Sequence, residues 1–251
     1  MNFPVMVSVG GTKITLHLIT EILGFFIGFR YFLYLKRKQG DIIEQQKRMW
    51  VLVGAIFGAL IGSRLVGSLE RPYELFRTKD LWEYIYNNKT VLGGFLGGLL
   101  GVELMKKIIG EKQNTGDLFT YPIILALMVG RIGCFSMGIY EETYGSPTHF
   151  FTGMNLGDGI LRHPVALYEI VFLLLLCLVM LQLDKRYVLA EGARFKLFLI
   201  AYCMFRFLVD FIKPRYFTLL GLSTIQLAAL LGLIYYYKYL LHPKKLLKQY
   251  A

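Results

Sequence analysis

Long apolar runs alternate with short polar segments along the whole sequence. The runs, each of about twenty residues, are 14–35, 50–69, 91–109, 118–139, 164–183, 195–212 and 219–241. As an α-helix rising ~1.5 Å per residue, each is long enough to cross a hydrocarbon core of ~30 Å. Helices are expected because backbone polar groups within lipid must be paired inside their own segment. The pattern predicts an all-α polytopic membrane protein with seven transmembrane helices.

The distribution of basic residues predicts how these helices are oriented. If the N-terminus lies outside, the inner segments are 36–48, 106–117, 184–196 and the tail from Lys238. The outer segments are then 1–13, 70–90, 140–163 and 213–218. The inner segments hold sixteen Lys and Arg and the outer ones eight, and Lys and Arg collect on cytoplasmic loops. This predicts an outer N-terminus and an inner C-terminus, and it assigns the net charge of +11 to the membrane and not to nucleic acid. The alternative is a solvated basic surface unrelated to orientation.

Other features set limits on the domain organisation. The first residues have neither a basic region nor a small-residue cleavage site, so the first run is expected to be an uncleaved span. Cys134, Cys177 and Cys203 lie in or beside apolar runs, without the spacing of a disulfide framework or a zinc site. We expect one membrane domain over 1–251, with an outer polar loop at about 140–163 and no metal or cofactor.

Ionisable residues within the apolar runs are the first candidates for function. Three arginines lie well along their runs: Arg64, Arg131 and Arg206. A charge at mid-span costs at least ~2.5–3.5 kcal/mol unless it is paired or faces a wet cavity. One interpretation is internal ion pairing with Glu21, Glu169 and Asp210. The other is an anionic lipid headgroup, because guanidinium groups bind phosphate through two parallel hydrogen bonds and stay charged at any depth.

Glycines and a long outer loop add two further candidates. The stretch "VLGGFLGGLLG" (91–101) includes Gly93 and Gly94 and is typical of close helix packing. Its alternative interpretation is a helix break that exposes backbone N–H groups to a phosphate. The segment 140–163 carries acids, histidines and a tyrosine among turn-forming residues, and loops of this length are often functional.

Five motifs resemble one bacterial family, the prolipoprotein diacylglyceryl transferases. They are "GRIGCFSMGIYEETYG" (130–145), "RHPVALYE" (162–169), "GSRL" (62–65), "FRFLVDFIKP" (205–214) and "LSTIQ" (222–226). The first resembles the family signature Gly-Arg-hydrophobic-Gly-Asn-Phe and the second its Arg-x-Pro-x-x-Leu-Tyr-Glu segment. The motifs stand in the family's order and reach from about residue 10 to 240.

The resemblance implies a membrane enzyme of the bacterial cytoplasmic membrane. Such an enzyme moves the diacylglyceryl group of phosphatidylglycerol to the lipobox cysteine of a prolipoprotein and releases glycerol-1-phosphate. The implied partners are therefore phosphatidylglycerol, a prolipoprotein lipobox peptide and membrane lipids. The expected catalytic residues are Arg131, Arg206, Glu142, His163 and Glu169. The expected substrate-binding residues are Arg64, Gly93, Gly94, Gly133, Cys134, Gly138, Tyr168 and His17.

The chain departs from the family pattern where the chemistry is expected. The family's His-Gly-Gly reads Leu92-Gly93-Gly94, so a histidine proposed as thiol base is missing. The signature Asn is Cys134, and the first-span aromatic-Gly motif has become "LHLITEILG". We name His163, His17 and Glu142 as candidate bases. Two alternatives stay open: a transferase with another thiol or alcohol acceptor, and an inactive phosphatidylglycerol-binding protein.

Overall fold

The computed structural model describes residues 3–214 and 221–248, and it is mostly helical. In chain order the elements are β1 Met6–Val9, β2 Thr12–Thr15, α1 Leu16–Gln39, α2 Gln45–Ser68, α3 Pro72–Leu75, α4 Leu81–Asn87, α5 Val91–Ile108, α6 Asp117–Met137, β3 Met154–Asn155, β4 Leu161–Arg162, α7 Val165–Arg186, α8 Ala193–Val209, α9 Thr224–Tyr235 and α10 Tyr237–Leu241. Short 3₁₀ turns follow α6, α8 and α10.

Each of the seven predicted apolar runs contains a helix. Among the described residues, four helices are long and apolar enough to cross a membrane: α1, α2, α6 with its following turn, and α7. The apolar α9 is shorter, with twelve residues. Part of the last predicted outer segment and the first two residues of the seventh run lie at 215–220, outside the described residues.

The helices fall into two compact units, which are described separately. The first comprises the residues up to Gly40, Gly116–Leu189 and Phe211–Pro214, and the second comprises Asp41–Thr115, Ala190–Asp210 and the described residues from Gly221 onward. In the first unit α1 packs closely on α6. A Cβ on Gly24 would lie 2.9 Å from the carbonyl oxygen of Ala126, and one on Gly28 3.0 Å from the Ala126 Cβ. Glycine is therefore what allows the two helices to approach this closely.

An N-terminal hairpin completes one end of the first unit. Strands β1 and β2 pair antiparallel, with Met6 opposite Thr15 and Val9 opposite Thr12. The Val5 N–H donates to the carbonyl of Ser136 at the end of α6 (2.9 Å), and the Phe3 ring meets the Phe135 ring edge-on at 5.9 Å. The residues that lead into the hairpin are thus attached to the end of α6.

In the second unit α2 and α5 touch along their backbones. A Cβ on Gly62 would lie 2.4 Å from the carbonyl oxygen of Gly93, and one on Gly97 2.3 Å from that of Gly58. Helix α5 runs unbroken from Val91 to Ile108, with the Gly93 N–H donating to Thr90 Oγ1 and the Gly94 N–H to the Thr90 carbonyl. The packing interpretation of this stretch therefore holds, and its alternative, a break in the helix, is wrong.

Candidate functional site

A buried ion pair joins α6 and α7 in the first unit. The Arg131 Nε atom lies 2.9 Å from Glu169 Oε1, and the two side chains are only 8% and 1% exposed. Glu169 is one of the three acids named in the ion-pairing interpretation of the in-span arginines, and the structure shows it paired with Arg131. Within a low-dielectric interior, opposite charges in contact offset the desolvation that each would otherwise suffer.

A thiol, a carboxylate and an imidazole also lie close to Arg131 and to one another. Its Nη1 atom lies 3.5 Å from Cys134 Sγ, and Cys134 Sγ lies 3.5 Å from Glu141 Oε1. Glu141 Oε2 is in turn 3.1 Å from His17 Nδ1 in the first turn of α1. The predicted residues Arg131, Cys134, His17 and Glu169 therefore form one continuous polar cluster.

Two predicted glycines make this cluster possible. Gly138 has φ +60°, and a Cβ there would lie 2.2 Å from the carbonyl oxygen of Leu156, so a side chain would be both strained and obstructed. This left-handed residue ends α6 and turns the chain back, which lets Glu141 reach Cys134. At Gly133 a Cβ would meet Thr20 Oγ1 at 2.1 Å and His17 Nδ1 at 3.2 Å, so α1 could not lie as close to α6 with any larger residue.

A second polar chain lies at the start of α7. His163 Nδ1 is 3.0 Å from the Tyr168 hydroxyl, which also makes a short hydrogen bond with the Thr152 hydroxyl. The backbone of His163 is held as well, since its carbonyl accepts from Gly145 N–H and its N–H donates to the Ser146 carbonyl. His163 and Tyr168 were both predicted as site residues, and the structure places them together.

The loop at 140–163 is ordered by strand pairing and by local hydrogen bonds. Strands β3 and β4 pair, and the Asn155 Oδ1 atom accepts hydrogen bonds from the N–H groups of Gly157 and Gly159. Arg162 Nε donates to Asp158 Oδ2 at 2.7 Å, and this hydrogen bond holds the pKa of the Asp158 carboxyl below its ordinary value.

Glu142 differs from its neighbour Glu141, which the sequence did not select. Glu142 is exposed, whereas Glu141 faces Cys134 and His17. The signal that could have identified Glu141 is its position in the sequence, three residues after the left-handed Gly138. Three residues after such a reversal, a side chain can return toward the helix that it follows. The sequence alone does not show which of the two acids does so.

The remaining predicted residues lie in the second unit. They are Arg64 on α2, Gly93 and Gly94 on α5, and Arg206 on α8. Arg64 is half-buried, with its guanidinium carbon 5.5 Å from the centre of the Tyr86 ring. Arg206 is buried. Asp210, one turn further on, accepts a short hydrogen bond from the Ser223 hydroxyl, and Ser223 also caps α9 together with Gln226.

Comparison with known proteins identifies relatives of the whole chain. Residues 4–241 match the family described as prolipoprotein diacylglyceryl transferase. A phosphatidylglycerol–prolipoprotein diacylglyceryl transferase of Campylobacter hominis is 27% identical over 248 residues, which cover 92% of this chain and 87% of the relative.

Two further proteins with the same name are similar. The one from Cupriavidus metallidurans is 31% identical over 245 residues, covering 90% of this chain and 85% of the relative. The one from Rickettsia bellii is 29% identical over 223 residues, covering 84% and 82%. With a match from residue 4 to residue 241 and relatives aligned over most of both chains, this protein belongs to the prolipoprotein diacylglyceryl transferase family.

Proposed function

We propose that the protein transfers the diacylglyceryl group of phosphatidylglycerol to the lipobox cysteine of a prolipoprotein and releases glycerol-1-phosphate. The observation that carries the proposal is the position of Arg131. Its guanidinium is buried on an apolar helix, within the stretch that resembles the family signature, beside Glu169 and Cys134. The names of the relatives supply the substrate class.

The reaction requires positive charge at the leaving group. A thiolate attacks the glycerol carbon that bears the phosphate ester, the C–O bond breaks, and its electron pair leaves with the phosphate oxygen. A preorganised guanidinium stabilises that charge far better in a dry site than in water. Arg131 is proposed to contact the phosphate, with Glu169 fixing the orientation of its side chain. The roles of Arg206 and Arg64 at the phosphate, and of Gly93 and Gly94 in lipid binding, stay predictions from motif position.

Formation of the thiolate requires a base or an equivalent, because a free cysteine has a pKa of about 8.5. The family histidine is replaced by Leu92, which is fully buried. Of the three bases predicted from sequence, His17 is the one placed beside Cys134 and Glu141. His163 belongs to the chain with Tyr168, and Glu142 is exposed.

We also propose the membrane arrangement. The protein is a single domain over 1–251 that crosses the bacterial cytoplasmic membrane seven times, with its N-terminus outside and its C-terminus inside. The four long apolar helices and the excess of basic residues in alternate segments support this arrangement.

A different acceptor is the second candidate function. The family histidine proposed as thiol base is replaced by Leu92, and the signature Asn is replaced by Cys134. These changes leave Arg131 and Glu169 in place. An acceptor other than a lipobox cysteine, either a thiol or an alcohol, would be consistent with a chain that keeps these two residues and lacks the family histidine and Asn.

The test uses purified protein, phosphatidylglycerol labelled in its glycerol headgroup, and a lipobox peptide. We expect one labelled glycerol phosphate released for each lipidated peptide, and no release with the peptide carrying Ser in place of Cys. Release with other thiols but not with the peptide would favour the second candidate. Bound phosphatidylglycerol without any release would contradict both.

A further inference from the structure

We infer that His17, Cys134 and Glu141 form a binding site for a zinc ion. Their donor atoms, an imidazole nitrogen, a sulfur and a carboxylate oxygen, all lie within 4.8 Å of one another. Nδ1 of His17 is 3.1 Å from Glu141 Oε2, and Cys134 Sγ is 3.5 Å from Glu141 Oε1. In a tetrahedral site with bonds of about 2.0–2.3 Å, neighbouring donors lie roughly 3.3–3.7 Å apart. The three groups thus need only small side-chain adjustments to bind one ion.

The surroundings of His17 match those of a metal-bound histidine. Its Nδ1 atom is buried and, among the residues that the structure describes, has no hydrogen-bond partner despite its closeness to Glu141. Its other nitrogen, Nε2, lies 3.7 Å from Glu21 Oε2, one turn along α1. Metal-binding histidines almost always direct the second ring nitrogen at a carboxylate or a carbonyl, which fixes the tautomer. Glu21 needs a side-chain adjustment of less than about 1 Å to bring its carboxylate within hydrogen-bond distance of Nε2.

The charges around the three donors are compatible with a divalent cation. A thiolate and a carboxylate with a neutral imidazole balance two positive charges. A neighbouring cation, Arg131, lies 3.5 Å from Cys134 Sγ, but its charge is paired with Glu169 at 2.9 Å. Nitrogen, sulfur and oxygen donors in one site favour zinc over magnesium or calcium, which prefer oxygen alone.

The donors coincide with departures from the family pattern. Cys134 occupies the place of the signature Asn, and His17 lies in the stretch that replaces the aromatic-Gly motif. These two changes are far apart in sequence, and the structure brings them together with Glu141. Sequence spacing indicated no metal because the ligands come from two helices and a turn that meet only in the folded unit.

Resting on the proposed transferase function, the ion takes over the role of the missing base. Three protein ligands leave a fourth position open, as in catalytic zinc sites. The acceptor thiol binds there, loses its proton to solvent and remains as a zinc-bound thiolate. This sulfur forms the new S–C bond with the glycerol carbon while the C–O bond breaks and glycerol-1-phosphate leaves. No electron acceptor or other co-reactant is needed.

The first test measures metal and not activity. Untagged protein purified in detergent is stripped with a chelator, titrated with zinc or cobalt(II), and analysed for bound metal and for the cobalt absorption of a tetrahedral thiolate site. We expect one ion per chain in the parent protein and less than a tenth of that in Cys134→Asn. This variant removes the thiolate but restores the residue of the family signature, so it is expected to fold. Cys177→Ser removes another thiol of the same unit and should keep its ion.

A second measurement is zinc affinity in a variant that changes only the carboxylate expected to orient the His17 ring. Glu21→Gln leaves all three ligands in place and is expected to weaken zinc binding by about 10–100-fold. Glu142→Gln, which changes the exposed neighbouring acid, should leave zinc affinity unaltered. Equal metal content in the parent, Cys134→Asn and Glu21→Gln proteins would overturn the site.

A second test separates this site from the proposed function. Transfer to the lipobox peptide is measured in stripped protein and after zinc is restored. Recovery of at least tenfold with zinc supports the inference. Full transfer by metal-free protein overturns the inference and leaves the proposed function intact. Stoichiometric zinc binding without transfer in any state leaves the metal site intact but overturns its catalytic role and the proposed function.

Discussion

Arg131 and Glu169 bury opposite charges inside two apolar helices, at 8% and 1% exposure. Such a pair contributes little net stability, but removing one partner leaves an unpaired buried charge and costs about 3–5 kcal/mol. A variant without Arg131 therefore tests folding as much as chemistry. A useful substitution keeps the charge and changes only its geometry.

Arg131→Lys is such a change, because lysine is a point charge without the planar fork that binds phosphate through two bonds. We expect turnover to fall by about 10²–10³-fold, as when one preorganised donor is removed from a developing anion. Turnover is measured as glycerol phosphate released from phosphatidylglycerol. Thermal unfolding of each variant is recorded alongside, to show that it is folded. Arg30→Lys, at an exposed arginine of α1, is the matched control. Parent-like turnover in Arg131→Lys would remove Arg131 from the phosphate site.

The choice between Glu141 and Glu142 shows what sequence could and could not predict about single residues. Glu142 was predicted as a candidate base, but the adjacent Glu141 is the acid that reaches Cys134 after the turn at Gly138. Ion pairing of the in-span arginines was one of two interpretations open from sequence, because few acids lie inside the apolar runs, but which acid pairs with Arg131 was not predicted. The approach of His17 to Cys134 was not, since it depends on how α1 crosses α6.

Helices were the elements that the sequence predicted well. All seven apolar runs contain helices, because a long apolar stretch in lipid has few other ways to pair its backbone. The hairpin β1–β2 and the short α3 and α4 were not predicted, since they are only four to seven residues long and show no apolar run. The seventh run proved to be two helices, α9 and α10, separated at Tyr236.

The contact between α2 and α5 yields a paired prediction on adjacent glycines. In Gly97→Ala the new methyl group would lie 2.3 Å from the Gly58 carbonyl oxygen, whereas in Gly98→Ala the nearest atom is 3.5 Å away. We expect Gly97→Ala to lose about 1–3 kcal/mol of stability through overpacking. Gly98→Ala should be neutral or slightly stabilising, since alanine favours helix over glycine. The midpoints of thermal unfolding of the two variants and the parent protein, measured in the same detergent, provide the comparison. Equal midpoints would mean that the two helices do not pack along this stripe.

For the molecule as a whole, helix length and hydropathy predict which segments span the membrane, and the distribution of basic residues predicts their orientation. Four described helices satisfy the requirements for a membrane span, and basic residues are concentrated in alternate segments. Neither property depends on side-chain packing, which is why the membrane class could be predicted from sequence, and the family could be predicted because its motifs are themselves sequence patterns. The division into two compact units could not, because it depends on which helices pack together.

Orientation is tested by reporters at matched positions. A fluorescent protein fused after Lys248 should fold and emit, because we expect the tail that begins at Lys238 to be cytoplasmic, and alkaline phosphatase at the same place should be inactive. The same pair inserted in the loop at 140–163 should give the opposite result. Active phosphatase on the tail would reverse the proposed orientation.

The attachment of Phe3 and Val5 to α6 has a consequence for assembly. The Val5 N–H donates a hydrogen bond to the Ser136 carbonyl, and the Phe3 side chain packs against the turn at Gly138. During synthesis these early residues have no partner until α6 has emerged, many residues later. The turn at Gly138 is therefore packed by residues made well before α6, and a bulky group attached at Phe3 would interfere with this late contact.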